Sequence, residues 1–244
     1  MLAAHELGYI NGEYVFMDVE LFPFKGDYWG DHGWYRGDAD DAKARVAYEA
    51  LLRIGLYESK SPLFDEFSRE LKRRALVEYG FDYGEEKVNF FAGAFRDAVH
   101  LYGIALNETL EAGEDPTDGH TFTHTMWNRN FVGVTDKVFI DDNGDRKTSF
   151  TVYDMNPDNG QFEPVAYYWG HNAGYSPVTG KWIHWPGGAT SAPPDEPYCG
   201  FTHEKQRCVD KGIVPEALYP CAVRVLFRCP NKVMLQKDNL SNTM

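Results

Sequence analysis

Residues 140–150 read IDDNGDRKTSF, with clustered acids, an Asn-Gly pair and a following Asp. The stretch is either a calcium loop or a hairpin, and the architecture around it depends on which. A helix-flanked calcium loop needs oxygen ligands at positions 1, 3 and 5, Gly at 6 and a bidentate Glu at 12. With Gly144 at position 6, Asn143 and Asp141 fall correctly at 5 and 3. Positions 1 and 12 are then Phe139 and Phe150, whose side chains carry no oxygen. The calcium reading fails at both ends.

A hairpin fits better. Val132, Val134, Val138 and Ile140 read as one strand, and Ser149, Phe150, Thr151, Val152 and Tyr153 as another. Asn-Gly between two such runs favours a tight turn, because both central residues tolerate positive φ. A second turn cluster, NPDNG at 156–160, leads into a third strand, QFEPVAYYW. The expectation is an antiparallel meander with its acids at solvated tips.

Upstream, residues 13–22 alternate as a strand, and a glycine-rich stretch without periodicity follows. Asp38 or Asp40 is placed to cap a helix running to about Tyr57, with Ala44, Ala47, Leu51 and Ile54 at helical spacing. Ser61 and Pro62 open a second helix that Gly80 ends. The longest helix is expected from about Glu85 to Leu110, with Val88, Phe91, Phe95, Val99, Tyr102 and Leu106 on its inner face. From Trp185 onward Pro and Gly dominate, which reads as an extended linker. No internal repeat is visible.

Composition sets outer limits. The chain has 244 residues, 43% hydrophobic and 15% aromatic, which belongs to a globular protein. A net charge of −13 leaves no basic stripe to replace nucleic-acid counterions. It tolerates a basic peptide, although acidity by itself serves solubility. No run of about 18 apolar residues is present to span a membrane. The N-terminus MLAAHELGYING lacks the basic and apolar regions of a signal peptide. Four cysteines, Cys199, Cys208, Cys221 and Cys229, fit no zinc spacing, and composition leaves their pairing open.

Catalytic constellations are weak. His120 and His124 stand at i and i+4, but Thr121 occupies the place where a zinc hydrolase needs Glu, so surface histidines are the better reading. The acids at Asp38, Asp40 and Asp41, and at Glu85 and Glu86, lie at expected helix starts, where the dipole accounts for them. There is no Gly-x-Ser-x-Gly, P-loop or dinucleotide fingerprint. Asn107-Glu108-Thr109 and Asn239-Leu240-Ser241 are glycosylation sequons, each weak alone. Asp27, Tyr28, Trp29, Trp34 and Tyr35 read as a variable surface loop, with a face for a basic peptide as the alternative.

Five segments in one order carry a resemblance: AHELG…NGEYVFMDVELF, FRDAVHLYGIALNETL, DG…MWNRNFVGVTDKVFIDDNGDR, YDMNPDNGQFEPVAYY and IHWPGG…PPDEPYCGF. Together they resemble the membrane-proximal half of the extracellular region of receptor guanylate cyclases, the natriuretic peptide receptor family. The likeness runs from residue 1 to about Cys208. It implies an α/β fold of periplasmic-binding-protein type I, two-lobed, with the N-terminal half lacking. On that template the first strand and the meander share the lobe nearer the membrane, and the helices between belong to the other.

The resemblance implies further particulars. Residues 1–186 would be a partial ligand-binding region, 187–208 a Pro-rich juxtamembrane linker with a cysteine loop, and 209–244 a divergent, disordered tail. It pairs Cys199 with Cys208 in a short disulfide loop that works in signalling, and makes Asn107 the glycan site. It implies a peptide hormone or unknown extracellular ligand, a homodimeric parent receptor at the extracellular face of the plasma membrane, cyclic GMP as output, no cofactor, and no catalysis in this chain. A soluble decoy or clearance-type binder is the alternative. Asn128 departs from the family, since MWNRNF replaces the family's sequon MWNRTF. The last 36 residues match no membrane span, and read as a truncated gene model, a read-through exon or a soluble splice form. Such a chain alone is expected to be marginal or aggregation-prone.

Overall fold

The computed structural model describes residues 1–21, 32–86, 88–202 and 204–209. Its centre is a five-stranded sheet in the order β1-β2-β5-β6-β7. Strands β1 (Phe16–Val19) and β2 (Leu51–Leu56) run parallel, joined through helix α2 (Asp41–Tyr48), against which α1 (Leu2–Glu6) packs. The next strands, β5 (Phe150–Met155), β6 (Phe162–Trp169) and β7 (Gly174–Pro177), are antiparallel. Ala47, Ala50, Leu51, Leu52, Met155, Val165 and Ala166 are buried at its centre.

Residues 49–57 correct the sequence reading. The helix expected to reach Tyr57 stops at Tyr48, and LLRIGL forms strand β2, flanked by β1 and β5. A short, mostly apolar run, here broken by Arg53, has no period that separates a buried strand from a helix. Gly55 marks how closely the strand is packed. A Cβ there would meet the Tyr153 ring at 3.1 Å and the Glu20 carbonyl at 3.2 Å, so neighbouring backbone and side chain close in on it.

The second helix, α3 (Pro62–Tyr79), begins and ends as its sequence predicts. Ser61 Oγ accepts from Phe64 N at 3.2 Å, Pro62 occupies the first turn, and Gly80 takes φ 68 at the C-terminus. The long helix α4 (Phe90–Glu111) starts later than expected, with Asn89 as its cap, accepting from Phe91 N at 2.6 Å. Glu85 and Glu86 therefore precede the helix. Helix α5 (Gly119–His124) is capped by Asp118 and lies against α4.

The inner face of α4 is also not the expected one. Phe95 is 74% exposed, Val99 71% and Tyr102 50%, whereas Gly93, Asp97, Ala105 and Thr109 are buried. Two residues are about 200° of helical turn, so Gly93 and Phe95 lie on nearly opposite faces. The buried stripe is small and polar because a hairpin backbone docks there closely.

That hairpin is β3 (Arg129–Gly133) paired with β4 (Asp136–Ile140), a separate two-stranded sheet. It corrects the meander. Val132 and Val138 lie on two strands, with the reversal at Val134-Thr135, and β4 does not pair with β5. The resemblance placed this hairpin with the first strand and α4 in the other lobe. Instead, the hairpin packs against α4. Of the described strands after α5, only β5, β6 and β7 join the sheet of β1 and β2.

Candidate functional site

Two constructions organise the molecule: the seat of the β3–β4 hairpin on α4, and the anchorage of the C-terminal segment. The first rests on one carboxylate. Asp97, 1% exposed, accepts from Val134 N at 2.8 Å and Thr135 N at 3.0 Å, and also from Thr135 Oγ1. These are the two turn residues of the hairpin, which has no Asn or Gly at its apex. The helix side chain thus supplies the turn's acceptors. Gly133 and Gly93 permit the approach: a Cβ on Gly133 would lie 2.3 Å from Asp97 Oδ2, and one on Gly93 2.7 Å from Thr135 Cγ2.

The quoted stretch 140–150 forms a tight corner beyond β4. The Asp141 carboxylate accepts from Asn143 N at 3.0 Å and Asp145 N at 2.8 Å, and pairs with Lys147 at 2.7 Å. Those contacts hold its carboxyl below the ordinary carboxylate range, Lys147 first among them. Gly144, at φ 82, lets the Trp127 indole close over the corner, 2.5 Å from where a Cβ would stand. The reversal predicted at Asn-Gly is thus real. It ends in a single bridge between Ile140 and Arg146, with no full strand pairing.

The second construction begins at Asp154 on β5. Its Oδ2 accepts from both the backbone N (2.7 Å) and Nδ1 (2.8 Å) of His184, while Oδ1 is buried without a partner. Burial pushes this carboxyl above its ordinary range despite the histidine. The chain then makes a 3-10 turn, Pro186–Gly188, whose backbone meets residues 11 and 12. A Cβ on Gly12 would lie 2.8 Å from Pro186 O, and one on Gly187 2.4 Å from Asn11 O. Both glycines have positive φ. Further on, Tyr198 N donates to Glu13 Oε1.

Cys199 and Cys208 are bonded to each other, with Cα atoms 5.5 Å apart, and the buried Cys208 lies in the short helix α6 (Gln206–Val209). Cys221 and Cys229, the 210–244 tail and Asn239 lie outside the described residues. Asn107 is exposed on α4, its amide donating to Glu111 Oε1 at 2.8 Å. The exposed rings of His120 and His124 on α5 lie 4.4 Å apart, tilted by 38°, and Trp127 lies against His124 at 4.0 Å. Among the described residues no three His, Cys, Asp or Glu side chains come together as a metal site.

The aromatic loop splits. Asp27, Tyr28 and Trp29 lie outside the described residues. Trp34 serves the fold: its Nε1 donates to Gly160 O at 2.7 Å and holds the NPDNG turn between β5 and β6. Arg45 reinforces that turn, donating to Pro157 O at 2.7 Å. Tyr35 is 65% exposed.

A sequence model of the receptor family ligand binding region matches residues 1–158, which hold both sheets except β6 and β7. The chain belongs to that family. Within the curated members of this receptor family, it is 40% identical over 222 residues to receptor-type guanylate cyclase gcy-28 of Caenorhabditis elegans, covering 85% of this chain and 16% of that receptor. Atrial natriuretic peptide receptor 3 of Bos taurus is 40% identical over 171 residues, 70% of this chain and 31% of the receptor. Atrial natriuretic peptide receptor 2 of Homo sapiens is 33% identical over 218 residues, 85% of this chain and 20% of the receptor. The chain spans less than a third of each of these relatives. Its mixed α/β architecture accords with the periplasmic-binding-protein-like fold of a receptor ligand-binding region. Among the described residues no helix is long and apolar enough to cross a membrane.

Sequence reasoning missed Asp97, Asp154 and His184. Asp97 is the one acid in the stretch FRDAVHLYGIAL, and an acid within so apolar a stretch is the signal that marks it. Asp154 and His184 carry no such signal, since their contact spans 30 residues.

Proposed function

We propose that this chain is the membrane-proximal part of an extracellular receptor region that couples peptide binding to a guanylate cyclase producing cyclic GMP. The observation that supports it most is the extent of the likeness to gcy-28, 222 residues, which runs beyond the 158 matched by the family model. It thus takes in sequence beyond the folded sheet, toward the anchored C-terminal segment. In this reading residues 1–186 belong to the ligand-binding region, and 187–208 form the linker and cystine loop that pass the signal on. Asn107 carries a glycan, the parent receptor is a homodimer, and the chain performs no chemistry. The natriuretic names of the relatives support a peptide ligand of that class.

The test is the full-length receptor containing this chain, expressed on mammalian cells and exposed to radiolabelled atrial natriuretic peptide. Surface binding with a rise in cyclic GMP is the expected result. Binding with no cyclic GMP selects the decoy or clearance reading instead. Neither binding nor response removes the natriuretic-type ligand. Replacing Cys199 and Cys208 together by serine is expected to alter cyclic GMP output while peptide binding persists; unchanged output would remove the loop from signalling. Peptide N-glycosidase digestion checks Asn107, since Asn107→Gln should abolish one glycan's mass shift.

A further inference from the structure

The β3–β4 hairpin and the end of β6 enclose a cleft of about 260 Å3. Five aromatic rings, Tyr57, Phe90, Phe139, Trp169 and His171, line it among polar and charged side chains. Phe139 and His171 stack at 4.4 Å with their planes 8° apart, and Trp169 and Tyr57 meet edge-on at 5.1 Å. One guanidinium also lines it. Arg146 is half-buried, lies 5.4 Å over the Phe90 ring and donates from Nη2 to Thr135 Oγ1 at 2.7 Å.

Arg146 is held in place without being neutralised there. Thr135 Oγ1 accepts from Arg146 and itself donates to Asp97, so the buried clamp orients the guanidinium through one hydroxyl. Among the described residues Arg146 forms no ion pair. Desolvation is the largest influence on it, drawing its pKa below the ordinary value, with Asp97 opposing. Arg73 and Arg74, which share Glu70 on α3, are shifted the other way. The remaining charges of the cleft are Lys147, paired with Asp141; Lys137, 5.0 Å over the Phe139 ring; and Asp136, whose Oδ1 accepts from Lys137 N.

A half-buried arginine facing aromatic walls matches a ligand with a planar apolar body and one carboxylate. Guanidinium binds carboxylate through paired donors, and the rings favour stacking. The volume, at the small end for ligand pockets, limits the size. We propose that this cleft binds a small aromatic carboxylate, its carboxylate on Arg146 and its ring against Phe139, His171 and Trp169. Such a ligand would brace the hairpin to the large sheet, independently of any peptide.

The experiment titrates the full 244-residue chain with 3-phenylpropionate and, separately, with the neutral 3-phenylpropionamide, by calorimetry and ligand-observed NMR. The acid is expected to bind at least tenfold more tightly. Arg146→Gln should reduce it to the level of the amide. Should Arg146→Gln fail to fold, His171→Ala, at an exposed position outside the clamp, decides the matter through an expected loss of threefold or more. Equal affinity for acid and amide overturns the proposal, as does indifference to the variant that folds. Inorganic phosphate competing as strongly as the aromatic acid also overturns it, because the walls would then contribute nothing.

Discussion

Removing the Asp97 carboxylate tests the hairpin seat directly. In Asp97→Ala the amides of Val134 and Thr135, both buried in the contact, lose their acceptor. An orphaned buried donor costs about 1–3 kcal/mol, so two place the loss at roughly 2–6 kcal/mol. The Thr135 hydroxyl also loses the acceptor of its proton, which moves the loss toward the upper part of that range. The 3.4 Å contact from the half-exposed Arg96 adds little. Asp97→Asn keeps one acceptor oxygen, which limits the loss to about 1–3 kcal/mol. Urea unfolding of the full chain, followed by circular dichroism, gives the global cost. Hydrogen exchange at the Val134 and Thr135 amides reports the local one. If Asp97→Ala unfolds within about 0.5 kcal/mol of the parent, the range of an ordinary surface change, and both amides stay protected, the turn does not depend on this carboxylate.

Gly133→Ala should cost about as much as Asp97→Ala, because its Cβ would displace the same carboxylate; the double variant should then fall well short of the sum, and full additivity would separate the two sites. The Asp154 carboxyl has a folded pKa above its unfolded value near 3.8, so the folded state holds its proton more tightly. Its stability contribution is therefore greatest below that unfolded value and falls as pH rises through the raised folded one. Comparing urea midpoints of the parent and Asp154→Asn from pH 3 to 8 should show the parent losing ground over that window alone; a parallel pair of curves contradicts the assignment. Phe95→Ser with Val99→Ser should raise the solubility of the isolated chain with little change in unfolding midpoint, since both are largely exposed; a large drop in midpoint would mean that the stripe is covered in solution.

Local chemistry was legible wherever one residue type had one use. Ser61, Pro62 and Gly80 bounded α3 correctly, and NPDNG gave the turn between β5 and β6. Reading failed where a partner far along the chain decided the outcome. Asn143-Gly144 advertised a hairpin, yet the paired turn lies at Val134-Thr135, whose acceptors come from Asp97, 37 residues away. The stripe of Phe95, Val99 and Tyr102 satisfied helical periodicity, but the docked face needed glycine, alanine and a carboxylate to admit a backbone. Periodicity measures apolarity, and here close approach outweighed it. The cystine loop was found only through the family resemblance, since spacing alone left four cysteines unpaired.

The junction of residues 11–13 with 186–198 also fixes the path of mechanical load. Tension applied at the cystine loop enters the body where Tyr198 meets Glu13, and where Pro186–Gly187 abuts Asn11–Gly12. From Glu13 two residues lead into β1, which pairs in parallel with β2, so a pull on the junction reaches that pair first. The edge strand β7, which precedes residues 186–198 in the chain, is bypassed as long as the junction holds. Rupture of the 11–13 junction would transfer the pull to Asp154–His184 in the sheet's middle strand.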